Sequence, residues 1–301
     1  MAVDTPVTAP AISEIGRTTR RQRGRRDTGA KGVAVLTGKI AAGALLVLLA
    51  LFPLAWMVIA GFKSRTEVVA TPFQFFPEVW RVENYQQILA DPEFVRSMSV
   101  TFGGAILFTL LSLTVNSLGA YAFARLEFAF KNVLWVYVIT TMFIPGMAIL
   151  LTSFVVVTRL RMLDTIAVLV IPGAASAAHL FFMRQYYLNV PMALEEAATL
   201  DGASKWGIYR HIFLPMSKPV FVVVGMTSFL AFWNSYVWPI MTITSRDLYQ
   251  IQQFLATFRS ERAAELGMLM AGSTLAALPV MILFLVFQRH IIGGIKIAGL
   301  K

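Results

Sequence analysis

Few side chains in this sequence could do chemistry, and most of those cannot do it together. Cysteine is absent, which removes thiolate nucleophiles, disulfides and thiolate metal sites at once. The three histidines, His179, His211 and His290, are not at metal-ligand spacing, and neither His-Glu-x-x-His nor Gly-x-Ser-x-Gly occurs. A string from Gly32 to Lys39 approaches a phosphate-binding loop. It places five residues between Gly32 and Gly38, and Ile40 where a Ser or Thr should hold magnesium. No catalytic residue, metal or cofactor is therefore expected, and this chain does not read as an enzyme that hydrolyses ATP. Two groups remain. One is the carboxylate-bearing stretch from Glu195 to Ser204; the other is Phe232-Trp233-Asn234-Ser235-Tyr236, with Trp238 and Pro239, inside an apolar run. Aromatic planes beside an amide suit a sugar ring, which offers apolar C–H faces and a rim of hydroxyls. An interfacial aromatic belt explains the same residues; Asn234 and Tyr236 read better as pathway, Trp238 as belt.

The carboxylate stretch has a local logic. Asn189 can cap a short helix, Pro191 is tolerated in its first turn, and Glu195 and Glu196 follow before Gly202 breaks the pattern. A second short helix restarts at Ser204, with Trp206, Tyr209 or Arg210, and Phe213 at helical spacing, and closes at Leu214-Pro215. Ala197, Ala198, Gly202 and Ala203 leave a surface that another backbone can approach closely. The pattern predicts two short helices at an angle, a knuckle built for docking. Its bland counterpart is an amphipathic loop joining two membrane helices.

The elements that must position these groups follow from composition. With 57% hydrophobic residues, 14% charged and mean hydropathy +0.69 over 301 residues, the chain is too apolar for a soluble domain. It reads as an all-α polytopic membrane protein. Six runs lack Asp, Glu, Lys and Arg: Ile40–Phe62, Ser97–Ala124, Asn132–Thr158, Thr165–Met183, Pro219–Ser245 and Leu266–Gln288. The shortest has 19 residues, close to the roughly 20 that span a bilayer. Six spans put both termini on one side. That side carries 17 of the 26 Lys and Arg, and net charge +10, against zero opposite. By the positive-inside rule, the termini and the Glu195 loop are cytoplasmic.

The expected organisation is a basic cytoplasmic tail over 1–39, a six-helix domain over 40–288 with the loop at 184–218, and a cytoplasmic tail over 289–301. The basic tail fits a topology signal and an anionic-lipid contact better than nucleic-acid binding. On the opposite side, Leu248, Ile251, Leu255 and Phe258 share a helical face. This suits either a surface that docks a partner or an interfacial helix that anchors the fold. Within the runs only His179 is ionisable, so no residue is placed to couple transport to an ion gradient. His179 reads as a helix-packing residue. Pro145-Gly146 and Pro172-Gly173 interrupt two runs, which is tolerated only where protein or a watery cavity covers the freed backbone. Asn116 in the second run, with Trp233, Asn234, Tyr236, Pro145 and Gly146, makes up the candidate pathway set.

The string Glu196-Ala197-Ala198, then Asp201-Gly202-Ala203, then Ile212-Phe213-Leu214-Pro215 resembles the EAA loop of permease subunits in binding-protein-dependent ABC importers. The Trp233-Asn234 to Pro239 segment and the ending Gln288-Arg289-His290-Ile291-Ile292-Gly293-Gly294-Ile295-Lys296 are similar to the MalG-type carbohydrate branch. Ser235 and Ile292–Ile295 depart from the family pattern, and the sugar class stays open on that account.

The resemblance implies the type I ABC importer permease fold in the plasma membrane of a prokaryote. It also implies a second related permease forming the other half of the pore, two cytoplasmic ATPase subunits, and an extracytoplasmic sugar-binding protein. Glu195, Glu196, Ala197, Ala198, Asp201, Gly202, Ala203, Leu214 and Pro215 would face the ATPase. Cargo would be a sugar, an oligosaccharide or disaccharide, with a polyol or glycerol phosphate as the alternative. A secondary transporter or channel is the more distant reading, without the intramembrane charges or internal repeat that it needs.

Overall fold

The computed structural model describes residues 30–260 and 265–298. Every regular element among them is helical. In lipid no water pairs with peptide groups, so they must be paired within the segment. The chain divides between Pro53 and Leu54 into two compact units. Helix α1, Ala30–Ala60, contains Pro53 and runs across that division. It begins ten residues before the expected edge of the membrane domain, and residues 1–29 of the expected tail lie outside the described residues.

After the end of α1, the second unit continues with two short helices, α2 (Arg65–Val68) and α3 (Glu83–Ala90), and then the long α4 (Pro92–Arg125). Its 34 residues rise about 51 Å at 1.5 Å each, more than a bilayer core. Asp91 starts α4 by accepting from the N–H groups of Glu93 and Phe94, and Pro92 sits where its missing N–H costs nothing. Small and polar residues on α4, among them Ser97, Thr101, Ala105, Ser112, Asn116, Ser117 and Ala120, are buried. Such residues let helices approach closely in a membrane. Gly104 faces the Phe232 ring and Gly119 faces Leu180.

The remaining elements are α5 (Lys131–Thr141), α6 (Gly146–Arg159), α7 (Ile166–Val170), α8 (Ala177–Leu188), α9 (Met192–Leu200), α10 (Lys205–Ile208), a π-helical turn (Tyr209–Phe213), α11 (Leu214–Met216), α12 (Lys218–Trp233), α13 (Val237–Thr242), a 3-10 turn (Arg246–Leu248), α14 (Ile251–Ser260) and α15 (Leu266–Ala298). Helix α4 packs chiefly on α12 and α8.

The six apolar runs are not six straight helices. Among the described residues three helices are long and apolar enough to cross a membrane: Ala34–Ala60 of α1, α4, and Leu266–Gln288 of α15. Two bent pairs raise the count to five. They are α5 with α6, bent by 106° before Pro145-Gly146, and Lys205–Met216 with α12, bent by 77° at Ser217. The expected fourth span, Thr165–Met183, is instead α7 and α8 separated by Ile171–Ser176. Pro172 removes a donor there and Ser176 restarts the helix by accepting from the His179 N–H. The fifth run ends as helix at Trp233, pauses at Asn234–Tyr236, and resumes as α13.

Packing settles several smaller expectations. His179 bridges α8 to α12 through Thr227 Oγ1 at 3.1 Å, in keeping with a packing role. Helix α14 buries Ile251, Phe254 and Phe258 completely, and the Ile251 N–H donates to Thr101 Oγ1 at 2.7 Å. Its apolar face is spent inside the chain, on α4 and α15, which matches the anchoring reading. The Trp238 indole N–H donates to the Val168 carbonyl at 2.9 Å, tying α13 to α7.

Candidate functional site

The Glu195 stretch folds as two short helices around one turn. Helix α8 ends at Asn189, whose side chain donates to the Gln185 carbonyl at 2.7 Å. Asn189 therefore terminates α8 and does not cap α9: Val190 follows it, and Pro191, which supplies no side-chain acceptor, holds the N-cap position. Helix α9 then runs to Leu200. Gly202 adopts φ +81°, the left-handed conformation that a Cβ disfavours. Around it the Gly202 N–H donates to the Thr199 carbonyl at 3.0 Å and the Ala203 N–H to the Ala198 carbonyl at 2.9 Å. That pair is the Schellman arrangement, which satisfies carbonyls left over at a helix end. Ser204 caps α10 directly afterwards, accepting from the Gly207 N–H at 3.1 Å.

Glu195 is the buried member of the pair of carboxylates. Its side chain is 8% exposed and one oxygen lies 3.0 Å from Lys205 Nζ, joining α9 to α10. The other oxygen has no hydrogen-bond partner. Glu196, Ala197, Asp201, Gly202 and Ala203 are exposed, and Ala198 is half-buried. Leu214 and Pro215 are also exposed, on the turn that leads to α12. Four large apolar side chains stand out on the same stretch: Met192, Leu194, Leu200 and Trp206, the Leu200 side chain 90% exposed. The sequence reading had not singled out these four as a surface.

Beneath the loop is a tight aromatic and hydroxyl cluster. Tyr187, Tyr209, Phe213 and Ile208 are buried with Met183 and Tyr121. Ser117 Oγ hydrogen-bonds to the Tyr187 hydroxyl at 2.6 Å and to the Tyr209 hydroxyl at 2.8 Å. The Tyr121 hydroxyl donates to the Lys205 carbonyl at 3.1 Å. Arg125, the last residue of α4, donates to the carbonyls of Tyr187 (2.7 Å) and Val190, and its guanidinium lies 5.2 Å from the Phe213 ring centre.

The second candidate group divides. Asn116 is 1% exposed. Its Nδ2 donates to the carbonyls of Ser112 (2.7 Å) and Ala174 (2.8 Å), and its Oδ1 accepts from the Ser176 N–H at 2.9 Å. The amide thus holds the break between α7 and α8, pairing backbone that Pro172 leaves loose. Trp233 is 2% exposed and stacks on Phe229 with ring centres 5.4 Å apart. Both are buried within the chain in this conformation. Asn234, Tyr236, Pro145 and Gly146 are exposed. Gly146 borders a cleft of about 250 Å³, with Phe108, Gly173, Ser235 and Trp238 in its walls. Gln250 is also in the wall, with neither amide atom paired.

These features can be set beside known proteins. The family of binding-protein-dependent transport system inner membrane components matches residues 116–297. The chain belongs to this family. It is accordingly a multi-pass permease component of a bacterial inner membrane, a transport subunit and not an enzyme in itself. Among its relatives, the arabinooligosaccharides transport system permease protein AraQ of Halalkalibacterium halodurans is 29% identical over 264 residues, 86% of this chain and 94% of that one. The diacetylchitobiose uptake system permease protein NgcG of Streptomyces coelicolor is 28% identical, over 84% of this chain and 86% of that one. The sn-glycerol-3-phosphate transport system permease protein UgpE of Escherichia coli O6:K15:H31 is 31% identical, over 81% and 90%. The fold is shared with a chain from the crystal structure of a bacterial ABC transporter involved in the import of the acidic polysaccharide alginate. There the TM-score is 0.77 and the identity 22%, over 87% of this chain and 98% of that one.

Within this permease family, the loop could be read from its own residues. Ser117, Tyr121, Arg125 and Tyr187 could not, because the partners of α4 lie 62 to 92 residues away. The one signal they left is an arginine directly after an apolar run, and it was counted only as charge.

Proposed function

We propose that this permease is one of two related subunits forming the pore of an ATP-driven sugar importer, and that the loop over residues 184–218 is where ATPase subunits act on it. The six apolar runs cross the membrane with both termini cytoplasmic, and the basic tails, the loop with Arg125 and Lys131 and the Glu195 loop all lie on the side that the positive-inside rule favours. Residues 1–39 and 289–301 are the cytoplasmic tails of a 40–288 membrane domain. Two ATPase subunits, one on each permease, supply hydrolysis, and an extracytoplasmic binding protein delivers cargo from the opposite side.

The observation that carries this reading is the knuckle. Its turn is hydrogen-bonded within itself while Met192, Leu194, Glu196, Leu200 and Trp206 are presented outward. A rigid, self-satisfied loop with protruding apolar side chains is suited to seat in another protein. ATP binding closes the ATPase pair and moves Glu195–Ala203 as a lever; Leu214-Pro215 lead that motion into α12, and the permease helices rotate to open the pore outward. Hydrolysis reverses the step. Asn234, Tyr236, Pro145 and Gly146 line the path, where exposed amide and interrupted backbone meet water or cargo and not lipid. Asn116 and Trp233 hold that region from behind.

The cargo is an oligosaccharide or disaccharide, supported by the relatives that carry arabinooligosaccharides and diacetylchitobiose in their names. Glycerol phosphate is the second reading, supported by the 31% identity with UgpE. Purification of the tagged chain in mild detergent tests the assembly. A second permease and an ATPase are expected with it, lost when Gly202 is changed to Trp; recovery of the chain alone in a channel-forming state overturns it. Uptake of labelled arabinotriose against labelled glycerol 3-phosphate, in cells with and without this chain, separates the two cargoes.

A further inference from the structure

Three residues of α4, spaced four apart, grip the knuckle. Ser117 bonds the hydroxyls of Tyr187 on α8 and Tyr209 on the π-helical turn. Tyr121, one turn later, donates to the Lys205 carbonyl at the start of α10. Arg125, one turn later again, reaches the carbonyls of Tyr187 and Val190, Met192 Sδ at 3.2 Å and the face of Phe213. A spacing of four keeps side chains on one helical face, so these contacts form a single row along α4.

Arg125 does the most in this row. Carbonyls at the end of a helix have no partner within it, and a cation there also meets the negative end of the helix dipole. The guanidinium reaches the Tyr187 carbonyl in the last turn of α8 and the Val190 carbonyl just beyond it, while touching α9 through Met192 and the π-helical turn through Phe213. Its Nε is buried and unpaired, so the grip depends on the two terminal nitrogens. A lysine carries the same charge on one nitrogen and cannot span several acceptors as a planar fork does. A mere topological charge would not need the fork.

We infer that Ser117, Tyr121 and Arg125 form a clasp that makes α4 move with the knuckle, Arg125 being the positioning residue. This rests on the reading of the knuckle as the ATPase-driven lever. The clasp gives that lever its purchase on the membrane domain. One face of α4, from Phe94 to Tyr121, is buried, and α8 and α12 are its main packing partners, so displacement at Arg125 passes to the helices around the pathway.

The test exploits the absence of native cysteine. Spin labels are placed at Leu200→Cys on α9 and Val115→Cys on α4, both exposed, and their separation is measured in the purified importer with and without a non-hydrolysable ATP analogue. The intact clasp is expected to hold one narrow distance in both states. In R125K the distance should broaden or shift with nucleotide by about 5 Å, the scale of a one-turn slip. An R125K distance as narrow and as fixed as that of the native chain overturns the clasp. Where R125K is not recovered, Tyr209→Phe, which removes one hydroxyl, decides: broadening supports the clasp and an unchanged distance overturns it. The lever reading is checked separately by the mobility of the Leu200 label, which should fall when ATPase is bound. An unchanged mobility sinks that reading while leaving the clasp distances interpretable.

Discussion

The two ends of the helical core secure their loops with a carboxylate, in opposite ways. At one end Glu195 is buried and pairs with Lys205 on the neighbouring short helix. At the other, Asp164 is exposed, and accepts from the Thr244 N–H and hydroxyl at 2.6 Å each and the Ser245 N–H at 2.8 Å. Around Glu195 lies an aromatic cluster gripped by α4; around Asp164 lie solvent-facing pairs, Arg96 with Asp247 and Arg246 with Glu93. Surface pairs of that kind contribute about 0–1 kcal/mol. The first end is a buried cluster joined through side chains of several helices. The second is a latch of exchangeable bonds, suited to a loop that changes partners.

The sharpest way to break this contrast is Phe213→Ala. Phe213 is 1% exposed and packs on Tyr121, Tyr187 and Arg125 at 4.9, 5.4 and 5.2 Å. Removing a buried ring of this kind costs about 3–5 kcal/mol. Thermal unfolding of the detergent-solubilised chain should drop sharply, with faster hydrogen exchange over 187–213. A change no larger than that of an Asp164 variant would mean that the cluster is not the rigid end.

Next comes Asn116→Leu. It leaves the Ala174 carbonyl and the Ser176 N–H without their partner, at about 1–3 kcal/mol for each buried group left unpaired. Hydrogen exchange should rise first at 171–179, between α7 and α8. Unchanged protection there would show that the break does not depend on Asn116.

Gly202→Ala tests the turn itself. No atom would meet the new Cβ within 4 Å, so the penalty comes from φ +81°, about 1–2 kcal/mol. Coupling should weaken while abundance holds, read as uptake per ATP hydrolysed. An Asn substitution, which tolerates left-handed backbone better, should recover part of the loss.

The sequence was readable where structure is local. Gly202, Ser204 and the run of small residues announce their turn because the chemistry of a helix end is complete within six residues. The apolar runs announce a membrane protein for the same reason. Breaks were harder: Pro172-Gly173 was visible as an interruption, yet a 19-residue run of apolar character reads as one span when the amide that repairs the break sits 58 residues away. Asn116 looked functional because an amide in an apolar run is conspicuous, and periodicity cannot tell a pathway amide from one that pairs loose backbone. The Ser117–Arg125 row was hidden because its members are ordinary residues whose partners come from other helices.

The smallest expected effect is at the latch. The Thr244 hydroxyl, with the backbone N–H groups of Ser245 and Thr244, holds the Asp164 carboxyl below its ordinary range. A depressed carboxyl stabilises the fold fully above its unfolded value, about 3.9, and loses that contribution as pH falls through the lower folded value. The Thr244–Ser245 loop should therefore stay protected from proteolysis at pH 5 and open as the pH falls below 4, with the Glu195 knuckle still ordered. Glu67, drawn down to about 2 by the Ser64 hydroxyl and backbone, should release its own turn only at still lower pH. Asp164→Asn keeps the shape and removes the charge, so it should show slightly weaker protection at neutral pH and no change on acidification. If that variant instead loosens residues 187–213, the two ends are coupled and the contrast between lever and latch fails.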